Sequence, residues 1–294
     1  MIQTPNGFNY FIKVVRYCVL VSLLAVIAPL STAGEVEKTE SGPVRINIVA
    51  RGLEHPGGLA FLPDGRMLVT ERPGRLRIVE PDGSVSSPLS GLPEITALGQ
   101  GGLLDVALHP GFVDNGLVYL SYAAQGRSGV GTEVARGRLE GNALVGTETI
   151  FRAMPKGSGG QHFGSRLVFH PDGSLFMTLG DRGDRPRAQR LDDHAGSVIR
   201  IDDKGAVPLN NPLVGRSGAK AEIFSFGNRN VQGAAIHPVT GELWAHEHGP
   251  KGGDELNVIR AGVNYGWPVI TYGVKYGLLG TRIGEGTHKE GMAQ

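Results

Sequence analysis

The chain has 294 residues, of which 46 are glycine and 18 are proline, 64 together or about 22%. The sequence has no collagen period and 40% of it is hydrophobic, which excludes collagen and a disordered chain. Only 19% of residues are charged and the net charge is +1, which argues against a coiled coil and against nucleic-acid binding. High glycine content with many branched aliphatic residues instead predicts short strands joined by tight turns.

The N-terminal segment has the pattern of a secretory signal. A basic region that includes Lys13 precedes the apolar run Cys18–Leu30, and small residues allow cleavage after Ala33. The run is short for a membrane span, although an uncleaved anchor is the alternative. The pattern therefore predicts a signal peptide at 1–33, a periplasmic mature domain at 34–294 and no stable membrane span after cleavage. The single cysteine lies in the apolar run, so the mature chain would hold no disulfide.

A phrase of apolar residues ending in proline occurs four times along the mature chain. The four prolines are Pro63, Pro110, Pro171 and Pro238, and Asp-Gly follows the first and the third. Each copy predicts a strand, a tight turn and a second strand, and the alternation in 66–70 predicts half-buried strands. The spacing between copies is near or above the length of a propeller blade, so the sequence predicts an all-β fold, a β-propeller. A β-sandwich is the alternative, and long amphipathic helices are not expected.

Glycine-rich polar segments lie at the ends of the predicted strands. They contain the candidate site residues Gln100, Gln161, His162, Asp181, Arg229 and Asn230. Histidine titrates near neutral pH, so His162 is a candidate general base, with a structural histidine as the alternative. Asp181 either caps a turn or orients a partner. Arg229 has the planar fork that binds carboxylates.

A second group of residues favours a bound cation. Candidate oxygen ligands are the backbone of Gly249 and Pro250, the carboxylate of Glu255 and the carbonyl of Tyr265. Oxygen ligands of this kind suit Ca²⁺. His246 and His248 lie two residues apart, which raises zinc as the alternative, but no third ligand is evident nearby.

The combined motifs suit binding of an anionic cofactor and oxidation of a polyol. The sequence has no phosphate-binding loop, no Gly-x-Gly-x-x-Gly before a helix and no Gly-x-Ser-x-Gly. This disfavours a nicotinamide cofactor on a Rossmann fold.

The sequence resembles the soluble sugar dehydrogenases that depend on pyrroloquinoline quinone (PQQ), most closely their periplasmic aldose sugar dehydrogenase branch. The matching segments are His55 to Arg72, Gly99 to Pro110, Gln161 to Gly183, His194 to Asp202 and Phe226 to Gly273. The resemblance implies a six-bladed β-propeller with PQQ and Ca²⁺ at the mouth of its channel. It also implies an oxidoreductase that converts the C1 hydroxyl of an aldose to a lactone and passes electrons to an external acceptor.

The resemblance also implies roles for individual residues. His162 would take the hydroxyl proton as hydride passes to the quinone, and Arg229 would stabilise charge that develops on the quinone oxygen. Arg229, Asn230 and Gln100 would contact the cofactor. The residues on the substrate side would be Gln100, Gln161 and Asp181.

The resemblance extends to the cation as well. The carbonyls of Gly249 and Pro250 would hold the Ca²⁺ of the cofactor. Glu255 and Tyr265 match a further Ca²⁺ site of the aldose branch.

The sequence departs from the family pattern in three places. Gly57 stands where the family usually has tryptophan, and Asn228 stands where it usually has histidine. The family also continues beyond the position of Gln294, so we expect the last part of the ring to be missing from this chain. Two other functions stay open, namely a Ca²⁺-dependent propeller lactonase and a propeller that binds without catalysis.

Overall fold

The structure is a computed structural model that describes residues 35–293. It divides into two compact units between Val49 and Ala50. In the first unit, β1 (Glu35–Thr39) and β2 (Gly42–Ile46) form an antiparallel hairpin that is exposed at nearly every residue.

The strands of the second unit form four antiparallel sheets, in each of which the strands lie in chain order. The first sheet contains β3 (Pro56–Phe61), β4 (Met67–Glu71) and β5 (Arg75–Val79). The second contains β6 (Leu103–Leu108), β7 (Leu117–Gly126), β8 (Gly129–Glu140) and β9 (Ala143–Arg152). The third contains β10 (Leu167–Phe169), β11 (Leu175–Thr178), β12 (Val198–Ile201) and β13 (Ile223–Ser225). The fourth contains β14 (Val231–Ile236), β15 (Leu243–Glu247) and β16 (Glu255–Ile259).

Helical structure is confined to two short pieces of the described chain. These are the single turn α1 (Phe112–Asn115) and a 3₁₀ turn at Arg185–Gln189. The all-β class predicted from the sequence is therefore confirmed.

The four proline repeats of the sequence correspond to the four sheets. Each of Pro63, Pro110, Pro171 and Pro238 lies in the connection between the first and second strands of one sheet. In the first copy the turn is closed by the Gly65 N–H, which donates to the Leu62 carbonyl at 3.0 Å. Proline and Asp-Gly favour such turns because they suit the backbone angles that the turn requires. The repeat therefore marks a structural unit.

The prediction of half-buried strands after these turns is wrong for β4 and β11. All residues of both strands are buried. In β11, Leu175 and Met177 face one hydrophobic cluster and Phe176 faces another, since successive side chains point to opposite faces of a sheet. The alternation in the sequence therefore reflects two buried faces, which only the neighbouring sheets reveal.

Three hydrophobic clusters join consecutive sheets. One lies between the first and second sheets around Leu76 and Leu120, and one between the second and third around Tyr119 and Ile199. The last lies between the third and fourth sheets and includes Val231. A fully buried aliphatic side chain contributes about 1.5–3 kcal/mol, so face-to-face packing holds the sheets in sequence.

A buried acidic residue, Glu71, ends β4, the central strand of the first sheet. Its carboxylate accepts hydrogen bonds from Arg75 Nε at 2.7 Å and Arg77 Nη1 at 3.0 Å. Burial by itself raises the pKa of Glu71, but the bonds from Arg75, the Glu54 backbone and Arg77 lower that pKa to about 2. The ionised carboxylate therefore stabilises the folded state.

We expect this contribution to be complete above about pH 4.5 and to be lost as the pH falls towards 2. The free energy of unfolding should decrease by about 3 kcal/mol over that range because of Glu71 alone. Urea unfolding of the chain and of Glu71→Gln at several pH values measures the difference. Glu148→Gln, at an exposed partner of Arg136, is the matched control and should keep the acid dependence. An equal dependence in Glu71→Gln would contradict the assignment.

The predicted signal at 1–33 lies outside the described residues. Within residues 35–293, no helix has the length and apolar character needed to cross a membrane.

Candidate active site

The inner strands of the four sheets surround a cavity of about 450 Å³. Most of its lining comes from the start of the first strand of each sheet or from the residues just before it, and Arg72 and His248 come directly after β4 and β15. The lining residues are His55, Pro56, Gly57, Arg72, Gln100, Leu103, Leu104, Asp105, Phe163, Gly164, Ser165, Arg166, Asn230, Gln232 and His248. A cavity bounded by the first strand of every sheet is the arrangement that a propeller channel has.

An ion pair links the sheets across this cavity. Asp105 on β6 is buried and accepts hydrogen bonds from Arg166 Nη1 at 2.5 Å and from the Leu167 backbone at 2.8 Å. Arg166 Nε in turn donates to the Gln232 carbonyl at 3.3 Å, on β14 of the fourth sheet. The negative charge of Asp105 is thus paired, which leaves cationic and amide groups to face the cavity.

Backbone strain is concentrated around the site. In the described chain, the non-glycine residues with positive φ are His55 (49°), His162 (53°), Ser165 (97°) and Arg182 (59°). His55 and Ser165 line the cavity, and His162 and Arg182 lie in the adjoining loops. Such conformations cost on the order of 1–3 kcal/mol each and occur preferentially at functional sites.

His162 is paired with Asp181. The His162 Nδ1 atom lies 2.6 Å from Asp181 Oδ1, and the Asp181 side chain is fully buried. The His162 ring is 11% exposed. A carboxylate at Nδ1 favours the tautomer with the proton on Nδ1, which leaves the lone pair of Nε2 free to accept a proton.

Gln100 holds the loop that carries His162. The backbone N–H of His162 donates to Gln100 Oε1 at 2.8 Å. The backbone N–H of Gln100 donates to the Gly160 carbonyl at 2.7 Å. Because Gln100 accepts with its oxygen and lines the cavity, its amide NH₂ is available to a ligand there.

Trp267 completes the contacts of Asp181. The indole Nε1 donates to Asp181 Oδ2 at 2.7 Å, and the backbone of Gly183 donates to Oδ1 at 2.7 Å. Asp181 was predicted to lie on the substrate side. Its complete burial and its three donors favour a role in orienting His162.

Arg229 and Asn230 directly precede β14 of the fourth sheet and lie next to the buried carboxylate of Glu247. The backbone N–H groups of both residues donate to Glu247 Oε2, and Asn228 Nδ2 donates to Glu247 Oε1 at 2.9 Å. Arg229 Nη1 donates to the His248 carbonyl at 2.8 Å, which keeps the guanidinium at the site. Asn230 Oδ1 accepts from Gly164 at 3.2 Å, so Asn230 is tied to the segment after His162.

The surroundings of Glu247 raise the pKa of its carboxyl group. Burial, followed by the negative charge of Glu255, raises the pKa of Glu247 to about 7, although the bonds from Asn228, Arg229 and Asn230 favour the carboxylate. A cation near the two glutamates would lower this pKa and keep both ionised.

Gln161 does not line the cavity to which Gln100 and Asn230 contribute. Its side chain is exposed and lines a second cavity of about 460 Å³, together with Arg182 and Gly183. Arg182 donates to the carbonyls of Gln161 and Gly159, and its guanidinium lies 3.3 Å from the centre of the Phe163 ring. Burial, followed by the charge of Arg187, lowers the pKa of Arg182 to about 10.

The predicted cation ligands are brought together only in part. Gly249 and Glu255 line a small cavity with Arg229 and Trp267, whereas Pro250 and Tyr265 are not among its lining residues. The Tyr265 hydroxyl donates to the Val258 carbonyl at 2.6 Å, which leaves its own carbonyl as the possible ligand.

Two features bear on a metal at this position. Gly249 and Pro250 are buried residues, and no residue in 35–293 donates a hydrogen bond to either carbonyl. No cluster of three or more histidine, cysteine, aspartate or glutamate side chains suited to a metal occurs among the same residues.

Sequence reasoning missed two residues of the site. Neither Trp267 nor Glu247 was among the candidate residues selected from the sequence. The only local signals were the Asn264–Pro268 loop and the acidic residue between His246 and His248. Neither signal shows that Trp267 reaches Asp181 or that Glu247 binds the backbone of the Arg229 segment.

Comparison with known families identifies the chain. A family model described as glucose / sorbosone dehydrogenase matches residues 53–294. The chain belongs to the glucose/sorbosone dehydrogenase family. The family resemblance read from the sequence is thereby confirmed.

Several members of the family are similar in sequence and structure. Aldose sugar dehydrogenase YliI of Escherichia coli is 48% identical over 237 residues, which cover 79% of this chain and 64% of that protein. The crystal structure of the soluble aldose sugar dehydrogenase of E. coli in its apo form has 45% identity and a TM-score of 0.82, with 84% of this chain and 73% of that chain covered. The PQQ-bound aldose sugar dehydrogenase of Streptomyces coelicolor has 32% identity and a TM-score of 0.69, with 87% of this chain and 72% of that one covered.

The chain spans about three-fifths of the length of the curated relatives it matches. Aldose sugar dehydrogenases are thus among the proteins that this chain resembles, and the structure from S. coelicolor holds PQQ.

Proposed function

We propose that this chain carries the site of a PQQ-dependent dehydrogenase that oxidises the C1 hydroxyl of an aldose to the lactone. The observation that supports this most is the pairing of His162 with buried Asp181, beside a cavity bordered by cationic and amide groups. The sugar dehydrogenases similar to this chain support the substrate class.

The donor set of the cavity fits PQQ, which is a planar tricarboxylate. His55, Arg72, Arg166 and His248 line the cavity, and Asp105 is its acidic residue. Because Asp105 is already paired with Arg166, the excess of positive and donor groups favours an anion. Arg72, Gln100 and Asn230 would hold the cofactor from the cavity wall, with Arg229 from the adjoining segment.

The loop that follows β15 fits Ca²⁺. The carbonyls of Gly249 and Pro250 are free of hydrogen bonds from the described residues, and hard cations take such oxygen ligands. The neighbouring pair Glu247 and Glu255 adds negative charge, which a cation would stabilise. Glu255 and the carbonyl of Tyr265 are our proposed ligands for a further Ca²⁺.

The chain's own residues would then move one proton and orient the sugar. Asp181 keeps the His162 proton on Nδ1, so Nε2 accepts the proton of the C1 hydroxyl. Gln100 would donate a hydrogen bond to a sugar hydroxyl near that base. Gln161 was predicted to do the same, but its side chain lines the other cavity, so we assign it no contact with the sugar. Arg229 presents positive charge where negative charge develops. PQQ, when bound, would supply the acceptor for the C1 hydrogen and its two electrons, which leave together as hydride, and Ca²⁺ would polarise that acceptor.

The remaining parts of the proposal concern architecture and location. We infer a six-bladed ring, to which the four sheets contribute, and residues 34–294 as the mature part of this domain. We also infer export to the periplasm after cleavage at 33, and an external electron acceptor that reoxidises the cofactor.

Cofactor capture and dye reduction test the proposed function. We expect residues 34–294 to bind PQQ in the presence of Ca²⁺ with a rise in Tm, since a ligand at 100 times its Kd stabilises by about 2.7 kcal/mol. The loaded protein should reduce a redox dye when aldoses are added, and chelation of Ca²⁺ should reduce that rate. The controls are NAD in place of PQQ, and omission of the sugar.

Three outcomes would each exclude the proposal. No thermal shift with PQQ and no dye reduction would exclude a quinoprotein. A thermal shift without any sugar-dependent reduction would indicate a binding protein. Hydrolysis of lactones without added PQQ would indicate a lactonase.

A further inference from the structure

Trp267 lies at the junction of the groups that surround His162. The side chain is 4% exposed, and its indole Nε1 donates to Asp181 Oδ2 at 2.7 Å. The other oxygen of Asp181 is the one 2.6 Å from His162 Nδ1. A single carboxylate therefore connects the indole to the imidazole.

The position of Trp267 is itself rigidly defined. The backbone N–H of Trp267 donates to the Gly227 carbonyl at 2.8 Å, and Gln189 Nε2 donates to the Trp267 carbonyl at 2.7 Å. The ring packs with Ala188 and Ile283. The indole N–H is thus a fixed donor, and Asp181 must orient its carboxylate to meet it.

The hydrogen bond from the indole restricts the orientation of the Asp181 carboxylate. Its Oδ1 accepts from Gly183 and faces His162, while Oδ2 has the indole N–H as its partner. A buried carboxylate oxygen without a donor is costly, so removal of the indole N–H favours rotation of the carboxylate away from its present plane. Rotation would weaken the bond that selects the tautomer of His162.

We propose that Trp267 is a positioning residue for the base. Through Asp181 it holds the His162 proton on Nδ1 and keeps Nε2 in the proton-accepting form. This inference rests on the proposed function, because the catalytic use of His162 belongs to that proposal. The tautomer itself is a property of the chain without cofactor.

The substitution Trp267→Phe tests the proposal, since it removes the N–H and retains an aromatic ring. The chain contains one other tryptophan, Trp244, whose Nε1 is buried without a hydrogen-bond partner among the described residues. Trp244→Phe is therefore a matched control, because it removes an indole N–H that makes no hydrogen bond in the described part of the chain. In the PQQ-loaded protein we expect Trp267→Phe to lower kcat on the order of tenfold to a hundredfold, with KM changed by less than about threefold. We expect Trp244→Phe to leave both constants near those of the parent.

Nitrogen NMR of histidine-labelled, cofactor-free chain provides the second measurement. The shifts of the two ring nitrogens distinguish the Nδ1–H from the Nε2–H tautomer, and loss of a signal in His162→Asn assigns it. We expect a single Nδ1–H form of His162 in the parent and in Trp244→Phe, and a mixture in Trp267→Phe.

The two measurements separate the possible failures. An unchanged His162 tautomer in Trp267→Phe overturns the proposal, whether or not kcat falls, because a lower kcat would then reflect packing alone. A parent chain without the Nδ1–H form overturns it as well. If no variant oxidises sugars but the tautomer changes as expected, the proposed function fails while the positioning role of Trp267 stands.

Discussion

Replacing His162 by asparagine should reduce kcat for aldose oxidation by about 10²- to 10⁴-fold, because that is the range that general base catalysis contributes. Asparagine is the appropriate replacement for structural reasons. His162 has a φ of 53°, a conformation that asparagine tolerates better than most residues. The amide nitrogen of asparagine also offers Asp181 a donor in place of Nδ1, so the variant removes the base with little change to the backbone.

Steady-state dye reduction with PQQ-loaded protein measures this effect, and PQQ titration measures binding separately. Binding of PQQ should stay within about twofold, since His162 is not among the residues that line the cavity. His237→Asn is the control, because His237 accepts hydrogen bonds from the turn between β14 and β15 through its ring nitrogen. Turnover near the parent value in His162→Asn would show that another group removes the proton.

The second large effect is expected at Asp181. Asp181→Asn replaces a group that only accepts hydrogen bonds by one that also donates, at a position with three donors around it. If the amide oxygen faces His162, the amide NH₂ meets the indole N–H of Trp267. If the oxygen faces Trp267, the NH₂ meets Gly183 and requires the Nε2–H tautomer of His162, which removes the basic lone pair.

Both orientations therefore impair the site. We expect kcat to fall by about 10²- to 10⁴-fold, by analogy with aspartates that fix the tautomer of a catalytic histidine. We also expect the free energy of unfolding to fall by about 1–3 kcal/mol, because one buried donor loses its acceptor. Dye reduction per PQQ-binding site, together with urea unfolding, measures the two effects separately.

Asp193→Asn is the matched control for loss of stability. Asp193 is also fully buried, and it binds Arg187 through both oxygens at 2.8 and 3.0 Å. Asp193→Asn should lose stability while retaining kcat per bound PQQ. Equal losses of kcat in the two variants would mean that Asp181 acts only through the stability of the fold.

Only part of the fold was predictable from the sequence. The four sheets follow from Pro63, Pro110, Pro171 and Pro238, because turn chemistry is local and each turn joins strands that are adjacent in sequence. The complete burial of β4 and β11 did not follow from the sequence. An alternating pattern describes two faces, and whether the second face is buried depends on a sheet formed elsewhere in the chain.

The site shows the same division. His162, Asp181 and Arg229 were selected from their residue types and their glycine-rich surroundings, and the structure brings these three segments together. Gln161 was selected on the same grounds, yet its side chain lies in a different cavity. The backbone at His162 is left-handed, with a φ of 53°, and the direction of each side chain depends on the local backbone angles. Proximity in sequence to His162 therefore does not place Gln161 beside the imidazole.

By itself the sequence determined the strand-turn-strand repeat, the all-β class and the residue types available for proton transfer and anion binding. These depend on backbone preferences and side-chain chemistry, which act over a few residues. Only the tertiary structure decided that Trp267 donates to Asp181, 86 positions earlier in the chain, and that Glu247 binds the backbone of Arg229 and Asn230. Such contacts form only when the sheets pack face to face, because burial of their apolar faces brings together loops that no local preference connects.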